Sequence, residues 1–528
     1  MAGAVPILTF PRADLGWLAW VALVPGMLLM VRARTRREAA ARGWAFGAGY
    51  LLAALYWTVP YIGPGLPLIA VVFGALWAPW GVAARALIPG RPVSALLILP
   101  SAWVTIELVR SRPALGGPWA VYGATQWQHP TELSLAALGG IWLISFALVA
   151  ANTALTLALA TLHPRSSPQS EPTAPTPAPE PATPEAASAS PPPPNQPVTG
   201  PFSGGSSAKS KRMFRAGMVI LFATLVSLGP LTFAARAGPP TARTMRITLV
   251  QPGMVNDAGT RLADEFRLTA DAAPADLTVW GESSVGVDLD RDPALVARFR
   301  ELAATRGPLL VNVDAADARG RITKSAVLVG TQGVQARYTK TRLVPFGEYI
   351  PFRRAFGWLS GISKAAGQNR VPGTGPTVMK ADGTTFGPLI CFESAFPDLG
   401  RALVERGAGL IVYQSATSSF QNSWAPPQHA SLGAVRAAET GRPVVQAALT
   451  GVSAAYDPRG RRLAWFDTDR RGTVTVTLPV PPTTTRTPYD RVGDVIPLGC
   501  LIATSMGIMG AVWKRRTRAR GSGVMNQQ

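Results

Sequence analysis

Long apolar segments bounded by clusters of basic residues are the feature of this sequence that most limits its fold. A helix needs about 20 mostly apolar residues to cross a bilayer. Seven segments have this length and composition, and we expect membrane-spanning helices in all of them: 15–31, 43–60, 66–88, 93–110, 134–161, 216–235 and 495–513. The sequence therefore predicts a multi-pass α-helical membrane domain.

The positions of the basic residues explain the formal net charge of +21. A basic excess is typical either of nucleic-acid binding or of membrane topology. The dense clusters, 32–37, 209–215 and 514–520, each adjoin an apolar segment, and basic residues are not interleaved with aromatic ones as in RNA-binding segments. We therefore expect membrane lipids as partners and no nucleic acid. Because basic loops remain in the cytoplasm, residues 236–494 are predicted to lie on the extracytoplasmic face of a bacterial membrane.

The cysteine and histidine content argues against two common kinds of site. The two cysteines, Cys391 and Cys500, are far apart in different settings, so a disulfide framework is not indicated. The three histidines, His129, His163 and His429, are scattered and form no cluster with cysteine. We expect no metal and no cofactor.

Composition divides the chain into segments of different kinds. A Pro/Ala/Ser-rich stretch has too few large apolar groups to offset the entropy of ordering, so we predict that it is a disordered cytoplasmic linker. Short β-branched runs alternate with helical patterns after residue 245, which is typical of an α/β domain. The predicted segments are N-terminal transmembrane helices (1–163), the linker (164–213), a transmembrane helix (214–236), the catalytic domain (237–490), a C-terminal transmembrane helix (491–513) and a basic cytoplasmic tail (514–528).

Three residues at or near the ends of apolar runs could form a nucleophilic site. Glu282 follows "LTVW", Cys391 follows "FGPLI", and Lys340 lies in "ARYTKTRLVPFGEYIP". A cysteine nucleophile needs a base to form the thiolate and a cation or donor to stabilise an oxyanion, and Glu and Lys can fill these roles. Taken singly, however, a cysteine that ends a strand is more often a small core residue, and a lone Glu or Lys is more often a solvated surface charge.

Motifs along nearly the whole chain carry a family resemblance. "WGES", "YTKTRLVPFGEYIP" and "ICFES" resemble the Glu-Lys-Cys triad of the nitrilase (carbon-nitrogen hydrolase) superfamily. The form of the lysine segment, set between transmembrane helices, is similar to the apolipoprotein N-acyltransferase family. Four further segments resemble that family: "FPRADLGWLAWVALVP" (10–25), "WVTIELVRSRPALGGPWAVYGATQ" (103–126), "VQPGM" (250–254) and "TPYDRVGD" (487–494).

The resemblance implies a fold and a reaction. The fold is a helical membrane domain plus an extracytoplasmic nitrilase-like αββα sandwich. Cys391 is expected to be the nucleophile, Glu282 the general base and Lys340 the oxyanion stabiliser. The expected acyl donor is a phospholipid, typically the sn-1 chain of phosphatidylethanolamine, and the acceptor is the α-amine of a diacylated apolipoprotein. The enzyme is expected in the bacterial inner membrane.

The resemblance also suggests residues around the triad. Glu348 is expected to position Lys340 or to help stabilise the tetrahedral species, and Glu393 to support the pocket. Glu107 and Arg110 are three apart, hence on one helix face, where they either pair structurally or contact a lipid headgroup. The full set of possible substrate or lipid contacts is Phe392, Trp119, Tyr122, Glu107 and Arg110.

Three departures from the family pattern leave alternatives open. Phe392 stands where the family often has tyrosine, "ATSSF" (416–420) replaces the usual "NDxWF", and Lys324 replaces an asparagine. The changes at 416–420 motivate a second hypothesis, a membrane-tethered nitrilase-type amidase or hydrolase. A third hypothesis is a non-enzymatic lipid-binding scaffold. Release of free fatty acid or ammonia, with no transfer to a lipopeptide amine, would indicate the second. Ordinary, unaccelerated reactivity of Cys391 with no covalent acyl adduct would indicate the third.

Overall fold

The computed structural model describes residues 1–63, 65–162, 208–316, 320–345, 347–350 and 370–525. Most of the predicted disordered linker (164–213) therefore lies outside the described residues. Its last part does not, because the next helix begins at Ala208, six residues before the predicted boundary.

The described helices form an N-terminal bundle, a peripheral set on the α/β domain and a long C-terminal helix. They are α1 (Val24–Val31), α2 (Arg36–Leu55), α3 (Val59–Ile62), α4 (Gly65–Gly74), α5 (Trp77–Leu87), α6 (Pro92–Arg110), α7 (Pro130–Leu133), α8 (Ala136–Ala160), α9 (Ala208–Ala235), α10 (Ala258–Asp271), α11 (Pro293–Arg306), α12 (Pro397–Glu405), α13 (Ala425–Thr440), α14 (Pro488–Val492) and α15 (Val495–Met525).

Five helical segments in the described part of the chain are long and apolar enough to cross a membrane. They correspond to five of the seven predicted spans: Gly65–Leu87, Pro92–Arg110, Ala136–Ala160, Ser210–Ala235 and Val495–Trp513. The predicted multi-pass helical domain is therefore confirmed.

The other two predicted spans differ in the structure. The apolar segment 15–31 is divided between a 3₁₀ turn, Gly16–Trp20, and the short helix α1. The segment 43–60 overlaps α2, which begins at Arg36 because Thr35 caps it by accepting a hydrogen bond from the N–H of Glu38. The first turns of α2 carry charged side chains, so the whole helix is less apolar than the segment 43–60.

The α/β domain contains two six-stranded sheets in its described part, each with a parallel centre and antiparallel edges. One has the strand order β12-β1-β2-β3-β4-β5 and the other β11-β10-β9-β8-β7-β6. The strands are β1 (Arg243–Gln251), β2 (Leu277–Trp280), β3 (Leu309–Ala316), β4 (Ile322–Gly330), β5 (Gly333–Thr339), β6 (Met379–Ala381), β7 (Thr384–Ile390), β8 (Leu410–Ser415), β9 (Val444–Ala448), β10 (Ser453–Tyr456), β11 (Arg462–Phe466) and β12 (Gly472–Val480).

The two sheets face each other, and helices cover their outer sides. Helices α10 and α11 pack on the first sheet, and α12 and α13 on the second. Between the sheets, the side-chain amide of Gln414 donates to the carbonyl oxygens of Trp280 and Leu310, at 2.9 and 3.0 Å. The predicted αββα sandwich is therefore confirmed.

Helix α8 has a break in its backbone where it contacts the α/β domain. Gly139 and Gly140 have non-helical backbone angles, and Gly140 has φ +69°. A Cβ on Gly140 would lie 2.6 Å from the ring of Tyr489, so only glycine fits there. Beyond the break, the free N–H of Ile141 donates to the carboxylate of Glu439 on α13 at 2.8 Å. The catalytic domain thus caps a membrane helix.

Candidate active site

Three strand ends bring the predicted triad together. Glu282 follows β2, Lys340 follows β5 and Cys391 follows β7. The carboxyl ends of parallel strands are where α/β domains place their sites. Cys391 opens a 3₁₀ turn with φ +51°, a left-handed conformation that is unfavourable for a residue with a side chain. The sharp turn makes Cys391 the first residue beyond the sheet.

Glu282 lies between the other two members of the triad. Its Oε1 accepts a hydrogen bond from Nζ of Lys340 at 3.2 Å, and its carboxylate also makes a side-chain hydrogen bond with Cys391. Its Oε2 accepts from the backbone N–H of Ala416 at 3.1 Å. Glu282 and Lys340 are 5% and 1% exposed, whereas Cys391 is only partly buried. Cys391 is therefore the least buried residue of the three.

Burial and charge set the ionisation of the three groups. Burial raises the pKa of the Cys391 thiol, and the neighbouring Glu282 carboxylate raises it further, to about 12. Burial alone would raise the pKa of Glu282, but the ammonium groups of Lys340 and Lys324 outweigh it and hold that pKa below its usual range. Burial would lower the pKa of Lys340, but the carboxylates of Glu282 and Glu348 raise it. At neutral pH the site holds a thiol, a carboxylate and an ammonium group.

Glu348 is the second carboxylate that contacts Lys340. Its Oε1 lies 2.9 Å from Nζ of Lys340 and 2.9 Å from a guanidinium nitrogen of Arg370. Its Oε2 accepts from the N–H of Val344 at 2.9 Å. The ammonium group of Lys340 is thus fixed between two carboxylates.

Glu393 joins the turn of Cys391 to the loop of Lys340. Its Oε2 accepts from the N–H of Ile390 at 2.8 Å. Its Oε1 accepts from the hydroxyl of Tyr338 and from the N–H groups of Thr341 and Arg342, at 2.7 to 2.9 Å. Glu393 is 0% exposed. The two segments that carry the nucleophile and the lysine are therefore tied by one carboxylate.

Phe392 and Trp119 lie where the catalytic domain meets the membrane helices. The ring of Phe392 packs edge-on against Phe396, and a Cβ on Gly117 would lie 2.5 Å from it. The indole of Trp119 stacks on His429 and donates to the side chain of Gln428 at 3.3 Å. Phe392 belongs to the turn that Cys391 opens, and Trp119 contacts α13. Both residues therefore lie close to the site.

Glu107, Arg110 and Tyr122 are not brought to the triad but are buried in the helix bundle. Glu107 accepts from the indole of Trp103 at 2.9 Å and from the backbone N–H of Tyr122 at 2.7 Å. Arg110 donates to the carbonyl of Trp119, and the hydroxyl of Tyr122 donates to the carbonyl of Ala19. Glu107 and Tyr122 are 1% and 0% exposed. These contacts favour the structural alternative for the three residues over a lipid contact.

The structure adds two charged residues that the sequence did not assign to the site. The sequence marks Lys324 only as a departure from the family pattern, and no motif marks Asp314. Nζ of Lys324 lies 3.5 Å from Oε1 of Glu282 and 2.9 Å from Oδ1 of Asp314. Sequence spacing alone could not reveal these contacts, because they depend on the register in which β3 and β4 pair. Among the residues that the structure describes, no group of three or more His, Cys, Asp and Glu side chains could hold a metal ion.

Comparison with known proteins matches two parts of the chain to two family models. Residues 2–154 match the family model described as the apolipoprotein N-acyltransferase N-terminal domain, and residues 246–486 match the carbon-nitrogen hydrolase model. The chain is thus similar to apolipoprotein N-acyltransferases in its N-terminal part and to carbon-nitrogen hydrolases in its α/β domain. The family resemblance of the motifs is thereby confirmed.

Two apolipoprotein N-acyltransferases can be aligned with most of this chain. The apolipoprotein N-acyltransferase of Geobacter metallireducens is 26% identical over 87% of this chain and 84% of its own length. That of Bradyrhizobium diazoefficiens is 28% identical over 90% of this chain and 86% of its own length.

Among solved structures, Saccharomyces cerevisiae Nit3 of the nitrilase superfamily covers 46% of this chain and 93% of its own, with 18% identity and a TM-score of 0.37. An amidase from Nesterenkonia covers 48% of this chain and 95% of its own, with 22% identity and a TM-score of 0.34.

Proposed function

We propose that this protein moves an acyl chain from a phospholipid, through a thioester on Cys391, to the α-amine of the N-terminal S-diacylglyceryl-cysteine of apolipoproteins. The observation that carries the proposal is the contact of the Cys391 thiol with the Glu282–Lys340 ion pair, in a domain bonded to membrane helices. The family match agrees with this reaction. Phospholipid and lipoprotein termini are both found at a membrane surface.

In the first half-reaction, Glu282 takes the proton of the Cys391 thiol while Sγ attacks the ester carbonyl of the phospholipid. Lys340 stabilises the negative charge that develops on the carbonyl oxygen. The C–O bond then breaks, and the leaving alkoxide of the lysophospholipid takes the proton from Glu282. A general base contributes roughly 10²- to 10⁴-fold to such a step.

In the second half-reaction, the amine of the lipopeptide attacks the thioester carbonyl. Glu282 takes the proton that the amine loses as the C–N bond forms. Sγ leaves as a thiolate and recovers that proton. The site thus returns to a thiol and a carboxylate, and the thioester has divided one difficult exchange into two easier ones.

The proposed location is the bacterial inner membrane, with the catalytic domain on the extracytoplasmic face. The apolar helices support a membrane location. Basic clusters that adjoin these helices support the orientation, since such clusters remain in the cytoplasm.

Acylation of Cys391 can be measured directly by intact mass. The full chain, in mixed micelles with dipalmitoyl phosphatidylethanolamine, should gain one palmitoyl group. Cys391→Ala should gain none, because the nucleophile is gone. Cys500→Ala is the matched control, since Cys500 lies in the membrane helix α15, and it should gain the group like the parent.

Addition of a synthetic diacylglyceryl-cysteine lipopeptide should discharge the adduct and yield N-palmitoylated lipopeptide. N-acylation by Cys391→Ala would refute the thioester route. Release of free fatty acid with no acylated lipopeptide would instead support the hydrolase alternative, which the departures at 416–420 motivate.

A further inference from the structure

A second buried lysine shares the carboxylate of Glu282. Lys324 is 4% exposed, and its Nζ lies 3.5 Å from Oε1 of Glu282, the same oxygen that accepts from Lys340. On its other side the ammonium group lies 2.9 Å from Oδ1 of Asp314 and donates to the hydroxyl of Ser283. The proposed base is thus held by two cations.

The register of the sheet fixes this arrangement. Lys324 on β4 is directly opposite Asp314 on β3. On the other side, Ser325 is opposite Thr339, and the N–H of Lys340 donates to the carbonyl of Lys324 at 2.9 Å. Lys324 and Lys340 are the next pair along these two antiparallel segments, so they are also opposed. Directly opposed residues share a face of the sheet, and the two lysines are therefore neighbours. Like charges in such positions are destabilising unless carboxylates lie between them.

The carboxylates extend this contact into a series of alternating charge. Neighbouring members are joined by nitrogen–oxygen contacts of 2.9 to 3.5 Å. The series, which we call the charge row, is Asp314, Lys324, Glu282, Lys340, Glu348 and Arg370. Its six charges sum to zero. The side chains at its ends, Asp314 and Arg370, are 28% and 19% exposed, while the middle is buried.

We propose that Lys324, held by Asp314, is a positioning residue for Glu282 that sets how much negative charge Cys391 faces. The proposal rests on the proposed roles of Cys391 and Glu282. A carboxylate held by two ammonium groups exerts less negative potential on the adjacent thiol than a carboxylate held by one. Lys324 therefore eases ionisation of the thiol, and Asp314 limits this effect by neutralising part of the charge on Lys324.

The charges around Glu282 support this assignment. Its side chain contacts Lys340 and Lys324, the Cys391 thiol and the N–H of Ala416. Burial acts to raise the pKa of Glu282, and the charges of both lysines lower it. Removal of either lysine therefore changes the balance of charge at the thiol.

The test is the rate constant for alkylation of Cys391 by iodoacetamide at pH 8. The full chain in detergent is used on a Cys500→Ala background, which leaves one thiol to follow by intact mass. Only the thiolate reacts, so at a pH below the thiol pKa the rate changes tenfold for each unit of that pKa. Because the pKa of Cys391 is raised to about 12, pH 8 meets this condition.

We expect changes of opposite sign from the two members of the pair. Lys324→Met removes a positive charge and should slow alkylation about three- to tenfold. Asp314→Asn leaves that charge less neutralised and should accelerate alkylation about three- to tenfold. The double variant should return to within about twofold of the parent rate, and Lys324→Arg, which keeps the charge, should also stay within about twofold.

A residue that only supports the fold would not give opposite signs that cancel. Changes in the same direction, or an unchanged rate in Lys324→Met, overturn the proposal. If Lys324→Met does not fold, Asp314→Asn decides alone, since its side chain is partly exposed: a slower or unchanged rate overturns the proposal. Iodoacetamide needs no phospholipid, so a chain that passes this test yet forms no acyl adduct would refute the proposed function and not the charge row.

Discussion

Neutralising Glu282 should have opposite effects on two reactions of Cys391. The Glu282 carboxylate, together with burial, raises the pKa of the thiol. Glu282→Gln should therefore lower that pKa and accelerate alkylation by iodoacetamide at pH 8 about tenfold or more. Acyl transfer from phospholipid should instead fall roughly 10²- to 10⁴-fold, because no group returns a proton to the leaving alkoxide.

Rapid alkylation with lost transfer would separate the two roles of this carboxylate, its charge and its basicity. Glu405→Gln, on the exposed end of α12, is the matched control and should change neither rate. Slower alkylation in Glu282→Gln would contradict the electrostatic account of the thiol.

Side chains of the triad could be predicted because each lies in a motif of its own. Glu348 and Glu393 could also be expected beside it, because they lie in the same motifs as Lys340 and Cys391. Other groups that hold these side chains could not be predicted. The N–H of Ala416 and the hydroxyl of Tyr338 are ordinary groups that become partners of Glu282 and Glu393 only through strand register. Lys324 is visible in the sequence as an unusual residue, but its contact with Glu282 depends on the register of β4 on β3, which lies between β4 and β2.

At the scale of single elements, α8 shows what an apolar pattern leaves out. The segment 134–161 predicted one continuous span, and the helix indeed covers Ala136–Ala160. The apolar pattern of the segment continues through the break at Gly139 and Gly140. Two glycines change neither the apolar character of the segment nor the spacing of its large apolar residues. Glu439 and Tyr489, which explain the break, are some 300 or more residues further along the chain and could not be predicted from the local sequence.

Gly140→Ala should destabilise the protein through this break. A side chain at φ +69° costs roughly 1–2 kcal/mol, and the clash with the ring of Tyr489 adds about 1–3 kcal/mol. The midpoint of thermal unfolding in detergent should fall by a few degrees. Gly217→Ala, in the open surface of α9, is the control and should leave the midpoint unchanged or raise it slightly. Equal midpoints for the two variants would show that the break tolerates a side chain.

At the scale of the whole molecule, polar contacts fix the catalytic domain on the membrane helices. Asp494, between α14 and α15, accepts hydrogen bonds from Arg401 of α12 at 3.0 Å, from the hydroxyl of Tyr489 at 2.9 Å and from the indole of Trp142 of α8 at 3.3 Å. With the bond from Ile141 to Glu439, the domain is anchored at two places on α8. This anchoring fixes the position of the α/β domain relative to the apolar helices.

Loosening this anchor should affect reactions with lipid more than reactions with small soluble molecules. In Asp494→Asn the amide cannot keep the charge-assisted bond to Arg401, which is worth about 1.5–3 kcal/mol. Acyl transfer from phospholipid in vesicles should fall about five- to tenfold, whereas alkylation of Cys391 by iodoacetamide should stay within about twofold. Asp469→Asn, on the exposed turn between β11 and β12, is the control and should leave both rates unchanged. A parallel fall of both rates in Asp494→Asn would mean that the substitution disturbs the site itself. A fall confined to the lipid reaction would show that the position of the domain on the membrane helices limits the access of phospholipid to the thiol.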